Sequence, residues 1–206
     1  MKFKSSKTYA ILRILLPCIL FLAAKEIEKQ LLTSYTQWKQ TDRWLTEDRL
    51  MLLAECIILT AILIIRTNQG LNYGSFSFRR AARFLPAGAV LGIMAAFVNR
   101  ILGISAASTL SVPGALVICG VGAASEEFVY RGFVLEGCRR VWSTPTSVAV
   151  SSLLFAAAHG NIYQTAEAFL VGLVFGIIVS RSNDVRNSCL AHAVTNTVIY
   201  LASAAL

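Results

Sequence analysis

What constrains this chain most is a series of apolar runs, each bounded by short polar stretches rich in Lys and Arg. The runs fall at roughly 9–24, 50–65, 85–105, 112–138, 147–160, 164–180 and 188–206. In hydrocarbon every backbone N–H and C=O must be satisfied within its own segment, and a helix of ~20 apolar residues does this while crossing a bilayer. The pattern predicts an all-α fold: a polytopic transmembrane helical bundle of about seven spans. Several runs are shorter than a full crossing, so their ends must extend into the flanking polar residues. A soluble domain of 206 residues that is 56% hydrophobic and 15% charged could not hide its apolar surface.

The net charge of +8 does not indicate nucleic acid, because the basic residues sit in clusters between the runs, as membrane topology requires. Lys2, Lys4 and Lys7, the 66–84 loop, Arg139 with Arg140, and Arg181 with Arg186 fall on one side, predicted cytoplasmic, with the C-terminus outside. The 25–49 loop opposes this with five basic residues offset by five acidic ones. Ile27, Leu31, Tyr35 and Trp38 recur in that loop near helical spacing, with Trp44 following, which reads as an amphipathic interfacial helix. Arg79, Arg80 and Arg83 interleave with Phe76, Phe78 and Phe84 as a second interfacial segment. The first run resembles a signal peptide but is long and lacks a clean cleavage site, so it is read as a retained span. Gly88 and Gly92, and Gly172 and Gly176, are each one turn apart and mark helix faces that approach closely. The five cysteines show no CxxC and no paired spacing, which argues against a disulfide framework or a thiolate metal site.

Ionisable residues inside a span cost at least ~2.5 kcal/mol on insertion scales, so each needs a reason. Arg13 can snorkel, Glu55 can reach the interface or bond across helices, Glu136 can pair with Arg139 or Arg140, and Glu167 can sit against a helix N-terminus. The stretch ASEEFVYRG, residues 124–132, is different. Glu127 and Arg131 are four apart, share a helix face and can neutralise each other. Glu126 then points elsewhere, toward whatever cavity the bundle encloses, and is placed to take a proton. The bland alternative is a structural ion pair with a second glutamate satisfied by hydrogen bonds.

The two histidines both fall in apolar runs. Phe155 precedes His159 by one turn, and His192 precedes Asn196 by one turn. A lone membrane histidine is more often a hydrogen-bonded core residue, whereas Glu, two His and Asn on three spans favour a convergent site between the C-terminal helices. No serine triad or HExxH is present. Water activation by Glu126 with His159, and oxyanion stabilisation by His192 and Asn196, suits these residues. Nitrogen and oxygen ligands of the same set could instead hold zinc, the weaker variant.

Together Glu126-Glu127-Phe-Val-Tyr-Arg131, Phe155-Ala-Ala-Ala-His159 and His192-Ala-Val-Thr-Asn196 resemble, in order and rough spacing, the EExxxR, FxxxH and HxxxN motifs of the CPBP intramembrane proteases. That family includes the type II CAAX prenyl endopeptidases and bacterial Abi proteins. The resemblance covers roughly 113–203 and divides the chain into N-terminal membrane helices with interfacial segments, 1–112, and a catalytic helical core, 113–206. It implies a catalytic Glu126 partnered by His159, an oxyanion pair His192 and Asn196, and a supporting ion pair Glu127–Arg131. Tyr130 departs from the Phe that many members carry there. The resemblance further implies an integral multi-pass protein of a bacterial cytoplasmic membrane and a membrane-associated peptide or protein substrate. No cofactor is required on this reading, with zinc as the variant, and no nucleic acid is involved. The substrate is left unspecified and not assigned to a prenylated tail. The competing readings are a non-enzymatic bacteriocin self-immunity protein and, least favoured, a proton-coupled transporter.

One geometric demand follows. With a last helix starting at 188, His192 lies about one turn from the helix end. Glu126 and His159 are expected deeper, so convergence requires that helix to tilt or to start elsewhere.

Overall fold

The computed structural model describes residues 7–38, 47–68, 76–103 and 111–204. Lys2, Lys4 and Trp44 lie outside them, as does the side chain of Arg13. The described residues are helical, in seven helices: α1 (Lys7–Trp38), α2 (Glu47–Asn68), α3 (Phe78–Ile101), α4 (Val112–Arg139), α5 (Thr144–Ala157), α6 (Ile162–Ser182) and α7 (Val185–Ala204). By length and composition, four of them (Arg49–Thr67, Phe78–Ile101, Val112–Arg139 and Ile162–Ser182) can cross a membrane. Helix α5 has 14 residues, about 21 Å of rise against ~30 Å of hydrocarbon.

Local chemistry sets the helix ends. The Ser111 side chain accepts from the Gly114 N–H at the start of α4, and the Asn161 side chain accepts from the Gln164 N–H at the start of α6. Pro113 and Pro145 stand in first turns, where a missing N–H costs nothing, and Pro86 falls within α3 where the tighter turn Ala82–Phe84 gives way to regular helix at Leu85. Asn183 ends α6 in the left-handed conformation, φ 52°, a role its short polar side chain tolerates.

Three boundaries differ from expectation. Helix α1 continues through Ala24 to Trp38, so the polar segment after the first apolar run is not a separate interfacial helix up to that point. Its polar turn is stabilised by ion pairs described below. Helix α5 stops at Ala157, which places His159 in the turn beyond it rather than on the helix. Helix α7 starts at Val185, so His192 is about two turns inside it.

The chain forms two compact units that interleave in sequence. The first comprises the segments to Ala23 and from Glu126 to Ser188; the second comprises Ala24–Ser125 and Cys189–Leu206. In the first unit α5 and α6 form an antiparallel hairpin. A Cβ on Gly176 would come 2.8 Å from Val148, and one on Gly172 would come 3.1 Å from Ser152, so the two glycines bring the helices into close contact. In the second unit the same device joins α3 to α7. A Cβ on Gly88 would meet the Ala191 carbonyl oxygen at 2.3 Å, and one on Gly92 would meet Val198 at 2.7 Å. The Thr195 hydroxyl, which also lies 3.0 Å from the Ala191 carbonyl, donates across this contact to the Gly88 carbonyl (3.0 Å).

Helix α4 departs from α geometry twice, over Val117–Val121 and Phe128–Leu135, where it widens to π-helical turns. In each stretch a carbonyl accepts from a side chain on another helix of the same unit. Asn196 Nδ2 donates to the Ile118 carbonyl (2.8 Å), and Ser151 Oγ donates to the Tyr130 carbonyl (2.7 Å). A side chain inserted into the backbone ladder is a known cause of such distortion, and π-turns recur at functional sites.

Candidate active site

In the first unit, the second π-stretch of α4 follows directly after Glu126 and Glu127. Glu127 and Arg131 are both buried and form an ion pair, Oε1 to Nη1 at 3.0 Å. Arg131 is the bulkiest fully buried side chain among the described residues. Its Nη2 donates to the Gly172 carbonyl (3.2 Å). The guanidinium lies 4.4 Å from the centre of the Phe155 ring and 5.7 Å from that of Phe175, so its charge is held by a carboxylate, a carbonyl and two π-faces. Gly172 serves this site as well as packing: a Cβ there would stand 3.1 Å from Arg131 Nη2.

Phe155 links the ion pair to His159. The two rings meet edge-to-face at 4.9 Å, and His159 Nδ1 is 3.0 Å from the Phe155 carbonyl oxygen. A carbonyl can only accept, so Nδ1 carries the proton and donates; in the neutral ring Nε2 is then the acceptor. The His159 carbonyl in turn accepts from Thr165 Oγ1 (3.3 Å), which ties the turn to the start of α6. The spacing FxxxH therefore acts through the backbone: Phe155 orients the imidazole with both its ring and its carbonyl, although His159 has left the helix.

Glu126 is half-buried where Glu127 is fully buried. The adjacent glutamates thus occupy different environments, as their helical positions predict. The first unit brings Glu127, Arg131, Phe155 and His159 into one connected set, with Glu126 at its edge on α4. His192 and Asn196 belong to the second unit. There His192 is buried on α7, and Asn196, half-buried, commits one N–H to the Ile118 carbonyl while its amide carries a second.

Several participants carry no motif signal. Ser151, which holds the Tyr130 carbonyl, follows Ser147 by one turn in an apolar helix, and Gly172 and Phe175 lie in a run read as packing alone. Small polar residues one turn apart are the signal that could have marked α5 as a contact face. Of the other ionisable residues, Glu136 pairs with Arg140 (3.3 Å) as a helix-end ion pair. In the second unit Glu55 takes the cross-helix option: Lys25 Nζ bonds its carboxylate and also that of Glu28 (2.6 Å).

Among the described residues no group of three or more His, Cys, Asp or Glu side chains forms a cluster able to hold a metal ion.

Apolar helices with a buried ion pair, an oriented imidazole and a half-buried carboxylate define a helical membrane protein built around a polar site. Residues 107–198, just under half of the chain, match the model of the family described as type II CAAX prenyl endopeptidase Rce1-like. The match covers all three motifs, and the similarity to that family is confined to this C-terminal stretch. An uncharacterised 24.3 kDa protein of Escherichia coli is 34% identical over 79 residues, which is 36% of this chain and 36% of that protein. The similarity thus spans only about a third of that relative. No solved structure matches.

Proposed function

We propose that the chain is an intramembrane endopeptidase that hydrolyses a peptide bond in a membrane-associated peptide or protein. What carries the reading is the contrast between adjacent glutamates. Arg131 neutralises Glu127, while Glu126 remains half-buried beside a set that ends in the oriented imidazole of His159. Glu126 takes a proton from water, and His159 Nε2 accepts from the same water. The water oxygen attacks the substrate carbonyl carbon. The oxyanion that develops needs N–H donors, the role that the motif resemblance expects of His192 and Asn196. Glu126 then returns its proton to the amide nitrogen as the C–N bond breaks, leaving a carboxylic acid and an amine. The family match supports a protease of the CAAX type, and the E. coli relative supports a bacterial source.

The test compares membrane and secreted peptides from cells carrying wild type or Glu126→Gln. The proposal expects at least one peptide whose terminus changes, and it names the substrate. Identical peptide sets from inserted, folded proteins would remove hydrolysis and leave a binding role such as immunity.

A further inference from the structure

Tyr130 is 1% exposed, and its hydroxyl is a buried polar atom with no hydrogen-bond partner among the described residues. Its position leaves little freedom. The ring packs edge-on against Phe21 (6.2 Å) and Phe155 (5.2 Å), and the backbone carbonyl is held by Ser151. A phenylalanine would fill the same space without burying an O–H. A buried hydroxyl without a partner is destabilising by about 1–3 kcal/mol, so native proteins satisfy such groups with water or ligand. Three groups lie within electrostatic reach of this hydroxyl: the Arg131 guanidinium, committed to Glu127 and the Gly172 carbonyl, and two that could share a water with it, the Cys18 thiol and the Glu126 carboxylate, one turn earlier on α4. The thiol is a weak donor and a weak acceptor and gives a water little to hold. The carboxylate holds one strongly.

We propose that the Tyr130 hydroxyl donates a hydrogen bond to the water that Glu126 activates. The proposal rests on the hydrolase reading and completes its geometry within the first unit. The water donates one proton toward Glu126 and the other toward His159 Nε2, and one oxygen lone pair accepts from Tyr130. The second lone pair is left directed at the substrate carbonyl. Tyr130 thus selects the attacking orientation and takes no proton itself.

Tyr130→Phe removes one oxygen and is expected to leave stability against unfolding in detergent unchanged or slightly raised. Its kcat should fall roughly tenfold with KM unchanged, the effect of one hydrogen bond made to the reacting water. A purely structural role would move stability and spare that split. Infrared difference spectra supply a readout independent of turnover: the Tyr130 phenol band, defined by Tyr130→Phe, should shift in Glu126→Gln. Wild-type kcat in Tyr130→Phe, or a phenol band indifferent to Glu126→Gln, overturns the inference while hydrolysis stands. A wild type that cleaves nothing defeats the hydrolase reading itself, and the phenol band still reports whether Tyr130 and Glu126 share a partner.

Discussion

Two buried ionic clusters, one in each unit, solve the same problem differently. Around Arg131 the charges balance one to one. The guanidinium and Glu127 are sealed from solvent, and a carbonyl and two aromatic faces lie against the guanidinium, whose Nε is buried without a hydrogen bond among the described residues. Around Lys25 two carboxylates, Glu28 and Glu55, share one ammonium that is a third exposed, and each carboxylate keeps a buried oxygen without a hydrogen bond among the described residues. The first cluster is closed and neutral, so it can serve as a rigid mount for Phe155 and His159. The second carries an excess of acid and reaches solvent through its lysine, and it accounts for the continuation of α1 through its polar turn. Burial alone therefore does not mark a charge as functional. The arrangement of its partners does.

The comparison breaks most easily at Arg131. Arg131→Met leaves Glu127 buried without its partner and is expected to destabilise the protein by about 3–5 kcal/mol, measured by unfolding in detergent. Combining it with Glu127→Leu should recover part of that loss, because both charges are then gone. In the other cluster Lys25→Met is expected to cost less, about 1–3 kcal/mol, since solvent already screens the lysine. Glu28→Gln should be within about 0.5 kcal/mol of wild type, as it relieves two carboxylates on one cation while keeping an acceptor. Equal losses in Glu28→Gln and Glu127→Gln would show that the clusters do not differ as described.

Gly172→Ala sharpens the first cluster. Its Cβ meets Arg131 Nη2 and Ser152 at 3.1 Å, so roughly 1 kcal/mol of destabilisation is expected. Gly120→Ala, with open space around it, should be neutral or gain up to about 1 kcal/mol from helix propensity.

Much of the fold was legible because membrane helices announce themselves by apolar length, and all seven appear near the runs that predict them. The Glu127–Arg131 pair followed from spacing alone, as did the close approach of α3 at Gly88 and Gly92. Three features were not legible, for physical reasons. The continuation of α1 depends on Glu55, thirty residues away, meeting Lys25. The π-turns of α4 depend on donors from Asn196 and Ser151, which local propensity cannot foresee. The end of α5 at Ala157 is a matter of turn geometry, and FxxxH spacing is equally compatible with a histidine on the helix. Site roles were inferred from chemistry and resemblance, and they stand as proposals tested by turnover.

Everything said of function depends on two neighbouring glutamates having different work. Wild type, Glu126→Gln and Glu127→Gln should be purified in the same detergent, with unfolding and peptide cleavage read on each preparation. Glu126→Gln is expected to unfold with wild type and cleave nothing, while Glu127→Gln is expected to lose stability together with activity. A folded Glu126→Gln protein that cleaves at the wild-type rate would contradict the account.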